Sequence, residues 1–339
     1  MQKRRILLIV LALGILIVWR QMHKEDEPKT IHITGTTMGV VPYSIKYMDL
    51  AGRDLQNDID SLLVDFNNSL STYIPNSEIS TFNTTDTATY LTPYLYPMLM
   101  TSREIYDKSN GAFDPTIGPL VNAWGFGPEK KISLDSSLID SLIVNIGFDK
   151  VIFDATSAKK NKGVVLDFSA TAKGYAVDVI ADYILANGIK NFMVEIGGEV
   201  VCRGKNENGT YWKIGIEKPE MTPEVGNLFA TTFIKNTALA TSGNYRNYYQ
   251  EEGRIISHTI SPYTGYSVRH HLLSASIYAP NCALADGYAT ACMVLGVEKS
   301  IELLEATPEI DGFLIFSKED GSLDTYISLG VQPVVEIIK

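Results

Sequence analysis

Leu55, Ile59, Leu62, Leu63, Phe66 and Leu70 recur every three or four positions, which predicts an amphipathic helix stopping near residues 71–75. Ahead of it, residues 30–34 alternate like a strand, residues 35–39 (Gly-Thr-Thr-Met-Gly) read as a turn, and Tyr43 to Tyr47 reads as a second strand. Residues 76–83 read as a short turn or helix. Thr92-Pro93 marks a further helix start, with Thr92 as N-cap and Pro93 at the first position, running to about Ser109 before Gly111. From Val151 the pattern shortens to β-rich runs at 151–153, 164–168, 192–196, 200–203, 212–217 and 229–234. Helices are predicted from Thr171 to Asn187, ending at Gly188, and from Ala283 to Leu295, ending at Gly296. Strands broken by a few helices, without regular βαβ alternation, predict an α+β fold with mixed or antiparallel sheets and packed helices.

The longest apolar run lies at the N-terminus. Lys3-Arg4-Arg5 precedes fourteen apolar residues, 6–19, and Arg20 opens a charged stretch to Lys29. The run is shorter than the ~20 residues that usually span a bilayer, yet the basic flank is that of an export signal. No small-x-small cleavage site follows it, so an uncleaved anchor is expected, with residues 1–29 as anchor and short linker and residues 30–339 as one catalytic body. Positive charge before the run keeps the N-terminus cytoplasmic and places the remainder across the membrane, in the periplasm if the membrane is a bacterial inner membrane. The formal net charge of -10, without a Lys/Arg cluster beyond Lys3–Arg5, argues against a nucleic-acid partner. Cys202, Cys282 and Cys292 have no Cys-x-x-Cys or His-pair spacing; they read as buried small apolar residues rather than metal ligands.

Four segments carry candidate chemistry. Residues 110–128 combine Gly, Pro and the aromatic residues Phe113, Trp124 and Phe126 with one carboxylate, Asp114. Such a stretch suits either a cradle for a planar ring with polar edges or an irregular, well-packed loop. Leu166-Asp-Phe-Ser-Ala-Thr-Ala-Lys-Gly174 follows a predicted strand and opens a helix. Backbone N–H groups and Lys173 there could meet a phosphate; the alternative is a plain strand-to-helix junction capped by Ser169 or Thr171, with Lys173 solvated. Asp286 and Thr290, four residues apart, share a helix face and could offer oxygens to a hard cation such as Mg²⁺, or serve the helix itself. His258, in Ser257-His-Thr-Ile-Ser-Pro-Tyr-Thr-Gly265, is either a general base or a polar residue at a strand end. Gly197-Gly198 and residues 240–246 are further places where backbone could approach a ligand.

In combination these segments resemble the ApbE family of FAD:protein FMN transferases. The resemblance rests on residues 35–39, 70–83, 111–122 with 124–128, 172–178, 195–198, 240–243, 257–258 and 285–290, in order along the chain. It implies a T-fold-related α+β architecture, FAD as donor and Mg²⁺ dependence. It also implies passage of FMN through its phosphate to a Ser or Thr hydroxyl of an acceptor protein, a subunit of a membrane redox complex, with release of AMP. Carried over by motif, Met38, Tyr73, Ala112, Phe113, Asp114, Asp167, Lys173 and Ile260 are expected at the FAD, and the Ala170 carbonyl, Asp286 and Thr290 at the metal. His258 is the candidate base. The chain departs from the family pattern at Ser261-Pro262, where Asp-Pro is usual, and at Gly287-Tyr288 within residues 285–290, which leaves the base and the finer metal geometry less determined than the activity. An FAD pyrophosphatase giving FMN and AMP, and a non-catalytic flavin-binding protein, are the competing readings.

Overall fold

The structure, a computed structural model, describes residues 27–129, 132, 134–220, 226–244, 248–251 and 254–338. Of the expected anchor and linker at 1–29, residues 1–26 lie outside these; among the described residues no helix is long and apolar enough to cross a membrane.

The centre of the molecule is an eight-stranded sheet of β1 (Lys29–Thr37), β2 (Val41–Asp49), β3 (Phe192–Ile196), β4 (Glu199–Arg203), β5 (Thr237–Gly243), β6 (Leu272–Ala279), β7 (Asp311–Ser317) and β8 (Leu323–Ile327). The strands lie side by side in chain order and every neighbouring pair is antiparallel. Helices are inserted between them: α1 (Gln56–Leu70), α2 (Glu78–Thr85), α3 (Leu95–Lys108), α4 (Gly118–Trp124), α5 (Ser136–Ile143), α6 (Ala172–Ala186), α7 (Cys282–Leu295) and α8 (Val297–Ala306).

Both sheet faces are covered, and the strand period of two assigns alternate residues to two cores. Val201, Ala238, Ala240, Ala275, Ile277 and Leu314 join the larger core with Phe66, Leu99, Ile180 and Tyr288 from the helices. Val200, Cys202, Leu239, Tyr278, Phe313 and Ile315 point the other way, onto the small sheet of residues 212–217, 228–234 and 335–337. A strand buried on both faces reads as a continuous apolar run, which is why β7 (Phe313-Leu-Ile-Phe316) carries no alternation to detect. The sequence reading does not pick out β5 to β8. A third cluster joins α4 and α5 to Ile256 and Ile260.

The predicted amphipathic helix is α1, with Ile59, Leu63, Phe66 and Leu70 buried. Two expectations fail. Residues 164–168 are not a strand: the Leu166 N–H and carbonyl bond the Asn83 side-chain amide at 2.8 and 2.9 Å, and Asp167 N–H bonds the Pro115 carbonyl at 2.7 Å, leaving only a single bridge between Val165 and Ile117. Side-chain and loop partners thus satisfy a backbone that its apolar pattern would assign to a ladder. The helix predicted at Thr92-Pro93 begins at Leu95 instead, with Tyr94 at its N-cap; the Thr92 hydroxyl donates to Glu78 at 2.6 Å and accepts the Tyr94 N–H at 3.3 Å, just ahead of the helix. Within residues 110–128, seven residues form α4, closed by Gly125 at φ 81, so this stretch is only partly irregular.

Candidate functional site

The site begins at the β1–β2 turn. β1 runs through Thr37, past the predicted turn start, and the chain reverses at Met38 (φ 48) and Gly39 (φ 86). A non-glycine residue in the left-handed region is uncommon, and Met38 holds it while lining a cavity of about 610 Å³, within the range of small-molecule sites. The opposite wall is α1 and its exit, Phe66, Asn67, Leu70 and 71–74 including Tyr73; the floor is Asp167, Ser169, Ala172 and Lys173. Four of the residues expected at FAD, Met38, Tyr73, Asp167 and Lys173, therefore share one cavity.

The other four do not line it. Ala112, Phe113, Asp114 and Ile260 are buried, Ile260 among Leu120, Trp124 and Ile139. Asp114 folds back on its own turn: its Oδ1 accepts from the Thr116 N–H at 2.8 Å and hydroxyl at 2.6 Å. Burial pushes its pKa up to about 6, against the pull of the Thr116 hydrogen bonds. Trp124 is scaffold, its indole N–H bonded to the Gly265 carbonyl at 2.8 Å. Phe126 connects two candidates: its carbonyl accepts the Tyr73 hydroxyl at 3.1 Å, and its ring meets the His258 ring edge-on at 6.3 Å.

At the cavity floor, α6 and α7 touch closely enough that only glycine fits between them. A Cβ on Gly174 would lie 2.2 Å from the Cys282 carbonyl oxygen and 2.8 Å from Asp286 Cβ. Neither Ser169 nor Thr171 caps α6. The Thr171 hydroxyl instead bonds the Ala283 carbonyl of α7 at 2.9 Å. The Gly174 N–H, in the first turn of α6, donates to Asp286 Oδ2 at 3.0 Å, so the carboxylate of one helix caps the other and this N–H is not left for a phosphate. Asp178 returns the arrangement, accepting Cys282 and Ala283 N–H groups from α7 at 2.8 Å each.

These caps aim charge at the cavity. Lys173 Nζ lies 2.5 Å from Glu199 Oε1 and 3.8 Å from Asp286 Oδ1. Burial lowers the lysine pKa, but Asp286 and Glu199 outweigh it and hold the ammonium above its ordinary value. Burial raises the Asp286 carboxyl above its ordinary value, with Lys173 pulling the other way. Beside them, Thr290 Oγ1 is 3.5 Å from the Ala170 carbonyl and 3.4 Å from Ser242 Oγ. Ala170, Asp286 and Thr290, the metal set expected from the resemblance, thus converge. No cluster of three or more His, Cys, Asp or Glu side chains suited to a metal occurs among the described residues.

The model of the ApbE family matches residues 35–314. The chain belongs to the ApbE family. A relative from Vibrio cholerae serotype O1, named FAD:protein FMN transferase, is 36% identical over 321 residues, covering 91% of this chain and 94% of the relative. One of the same name from Haemophilus influenzae is 36% identical over 312 residues, covering 88% and 89%. The solved flavin transferase ApbE from Vibrio cholerae superimposes with a TM-score of 0.80 at 34% identity, covering 91% of this chain and 99% of that one. The apo flavinyl transferase ApbE from Pseudomonas stutzeri gives 0.79 at 30% identity, covering 89% and 96%. This ApbE-family chain is a transferase with the mixed α+β architecture of those structures, as the sequence reading expected.

Two site residues escape that reading. Glu199 is the first residue of β4, turned inward by the Gly197-Gly198 reversal at φ 63 and 105, and Asp178 is quoted only as the end of a motif. A carboxylate directly after a Gly-Gly turn and an acid set between Val177 and Val179 in a helix were the available signals.

Proposed function

We propose that this chain transfers the FMN moiety of FAD through its phosphate to a Ser or Thr hydroxyl of an acceptor protein, releasing AMP, with Mg²⁺ as cofactor. One observation carries the reading: Lys173 stands on the floor of an otherwise largely apolar cavity, next to the convergence of Ala170, Asp286 and Thr290. The wall of Met38, Phe66, Leu70 and Tyr73 suits a flat ring system, and the floor suits a pyrophosphate.

The three oxygens fit a hard cation. The Thr290 hydroxyl is held only by contacts at the outer limit of hydrogen bonding, and Asp286 keeps a carboxylate oxygen beside a lysine rather than bonded to it. When bound, Mg²⁺ would neutralise charge on the pyrophosphate. The chain's own residues do the rest. Lys173 meets phosphate charge, the Tyr73 wall orients the ring, and His258, across Phe126 from Tyr73, is the base we assign. The acceptor oxygen attacks the FMN phosphorus, the bridging P–O bond breaks, AMP leaves with the bridging oxygen, and the hydroxyl proton passes to His258. The basic flank and apolar run at the N-terminus support a periplasmic location on a bacterial inner membrane, and with it acceptors among the subunits of membrane redox complexes.

The test is to incubate the chain with FAD, Mg²⁺ and a peptide carrying a Ser/Thr-Gly-Ala-Ser/Thr segment. Mass spectrometry should show an FMN adduct on the hydroxyl, AMP in equal amount, and neither after EDTA. FMN and AMP without adduct would make the protein a pyrophosphatase; bound flavin without AMP would make it a carrier. Either result overturns the proposal.

A further inference from the structure

Glu199 has no part in the expected site, yet it is the nearest charged partner of Lys173. Its carboxylate is 3% exposed, with Oε1 2.5 Å from Lys173 Nζ. Its other oxygen, Oε2, is buried and has no hydrogen-bond partner among the described residues. Orphaned buried carboxylate oxygens are costly, and their retention calls for an explanation. Gly197, at a φ of +63 that suits glycine, borders the pair: a Cβ there would touch Lys173 Cδ at 3.4 Å and Glu199 Oε2 at 3.5 Å in ordinary van der Waals contact, and would press on Val41 Cγ1 at 2.7 Å. With Asp286 Oδ1 at 3.8 Å on the other side, two carboxylates face one ammonium. The lysine that fronts the cavity therefore brings no surplus positive charge to it.

We propose that Glu199 cancels the charge of Lys173 in the metal-free site, so that FAD is held firmly only when the divalent cation is present as well. Lys173 alone would attract a pyrophosphate whether or not metal were bound; Lys173 neutralised by Glu199 would not. Glu199 thereby couples the two bindings, and FAD without metal leaves the site readily. The coupling rests on the proposed reading of the cavity as an FAD site, and it concerns affinity rather than turnover.

Equilibrium FAD binding, followed by quenching of flavin fluorescence, tests it on the full chain in detergent with Mg²⁺ or with EDTA. Glu199→Gln keeps an oxygen for the Lys173 ammonium and removes one charge. In EDTA it should bind FAD about tenfold more tightly than wild type, the scale of one unit charge acting through a partly screened interior. The gain on adding Mg²⁺ should shrink by a similar factor. Glu199→Ala and Glu199→Asp both shorten the side chain and differ in charge, so Ala should tighten metal-free binding and Asp should not, which keeps the test decisive if the Gln variant does not fold. Equal or weaker metal-free binding in the uncharged variants, with wild type binding FAD in Mg²⁺, overturns the coupling alone. Wild type that binds no FAD with Mg²⁺ overturns the activity reading and the coupling together.

Discussion

Gly174→Ala places one methyl group where α6 meets α7. The added Cβ would stand 2.2 Å from the Cys282 carbonyl oxygen and 2.6 Å from its carbon, both backbone atoms of α7 that no rotamer change can move. Restoring ordinary van der Waals separation requires the helices to part by ~1 Å. Two effects then oppose each other. Alanine is the better helix former by ~1 kcal/mol. Against it stand overpacking, at ~1–3 kcal/mol, and the Gly174 N–H bond to Asp286, 3.0 Å long, which stretches as the helices separate. The net expectation is a loss of ~1–3 kcal/mol, read as a lower urea midpoint with an unchanged slope. Activity should suffer more than stability. Lys173 on α6 and Asp286 with Thr290 on α7 are held in register by this contact, and a misplacement of ~1 Å in such a site costs on the order of a hundredfold in rate. The measurement pairs chemical denaturation with the peptide-flavinylation assay. A variant within about 0.5 kcal/mol of wild type, which is the ordinary scatter of neutral substitutions, and with undiminished transfer would show that the helix contact does not set the site.

Two further outcomes follow from buried groups. Asp114, raised to about 6 by burial, binds its proton more tightly folded than unfolded, so its contribution to stability is complete below the unfolded value near 3.8 and is lost as pH rises through 6. Asp114→Asn keeps the acceptor oxygen for Thr116 and removes the titration, so its stability relative to wild type should climb by up to ~3 kcal/mol between about pH 4 and 7; parallel unfolding curves for the two proteins would refute this. Cys202, Cys282 and Cys292 are free and buried, and burial raises all three thiols, Cys292 to about 12. A thiol reagent should modify none of them in the native protein and all three after denaturation; rapid native labelling at any one would contradict the burial.

Local sequence was enough to reveal α1 from its apolar stripe, and α6 and α7 from the glycines that follow them, because these are properties of short segments. The motif blocks likewise named Lys173, Asp286 and Thr290, and their helical placement followed from spacing. Strands β5 to β7 were illegible for a physical reason: with a core on each face, their residues lose the alternation that marks a half-exposed strand, while the edge strand β8 is half-buried along its whole length. Residues 164–168 misled in the opposite sense, since apolar burial came with backbone bonds to Asn83 and Pro115 instead of a ladder. What spacing along one chain cannot express is contact between distant segments. Glu199 reaches Lys173, and Asp286 caps α6, only because β3–β4 and α7 converge on the same end of α6. The identities of Lys173, Asp286 and Thr290 are written in the sequence. Their charge balance is settled in space, where Coulomb energies depend on separations that chain position does not encode.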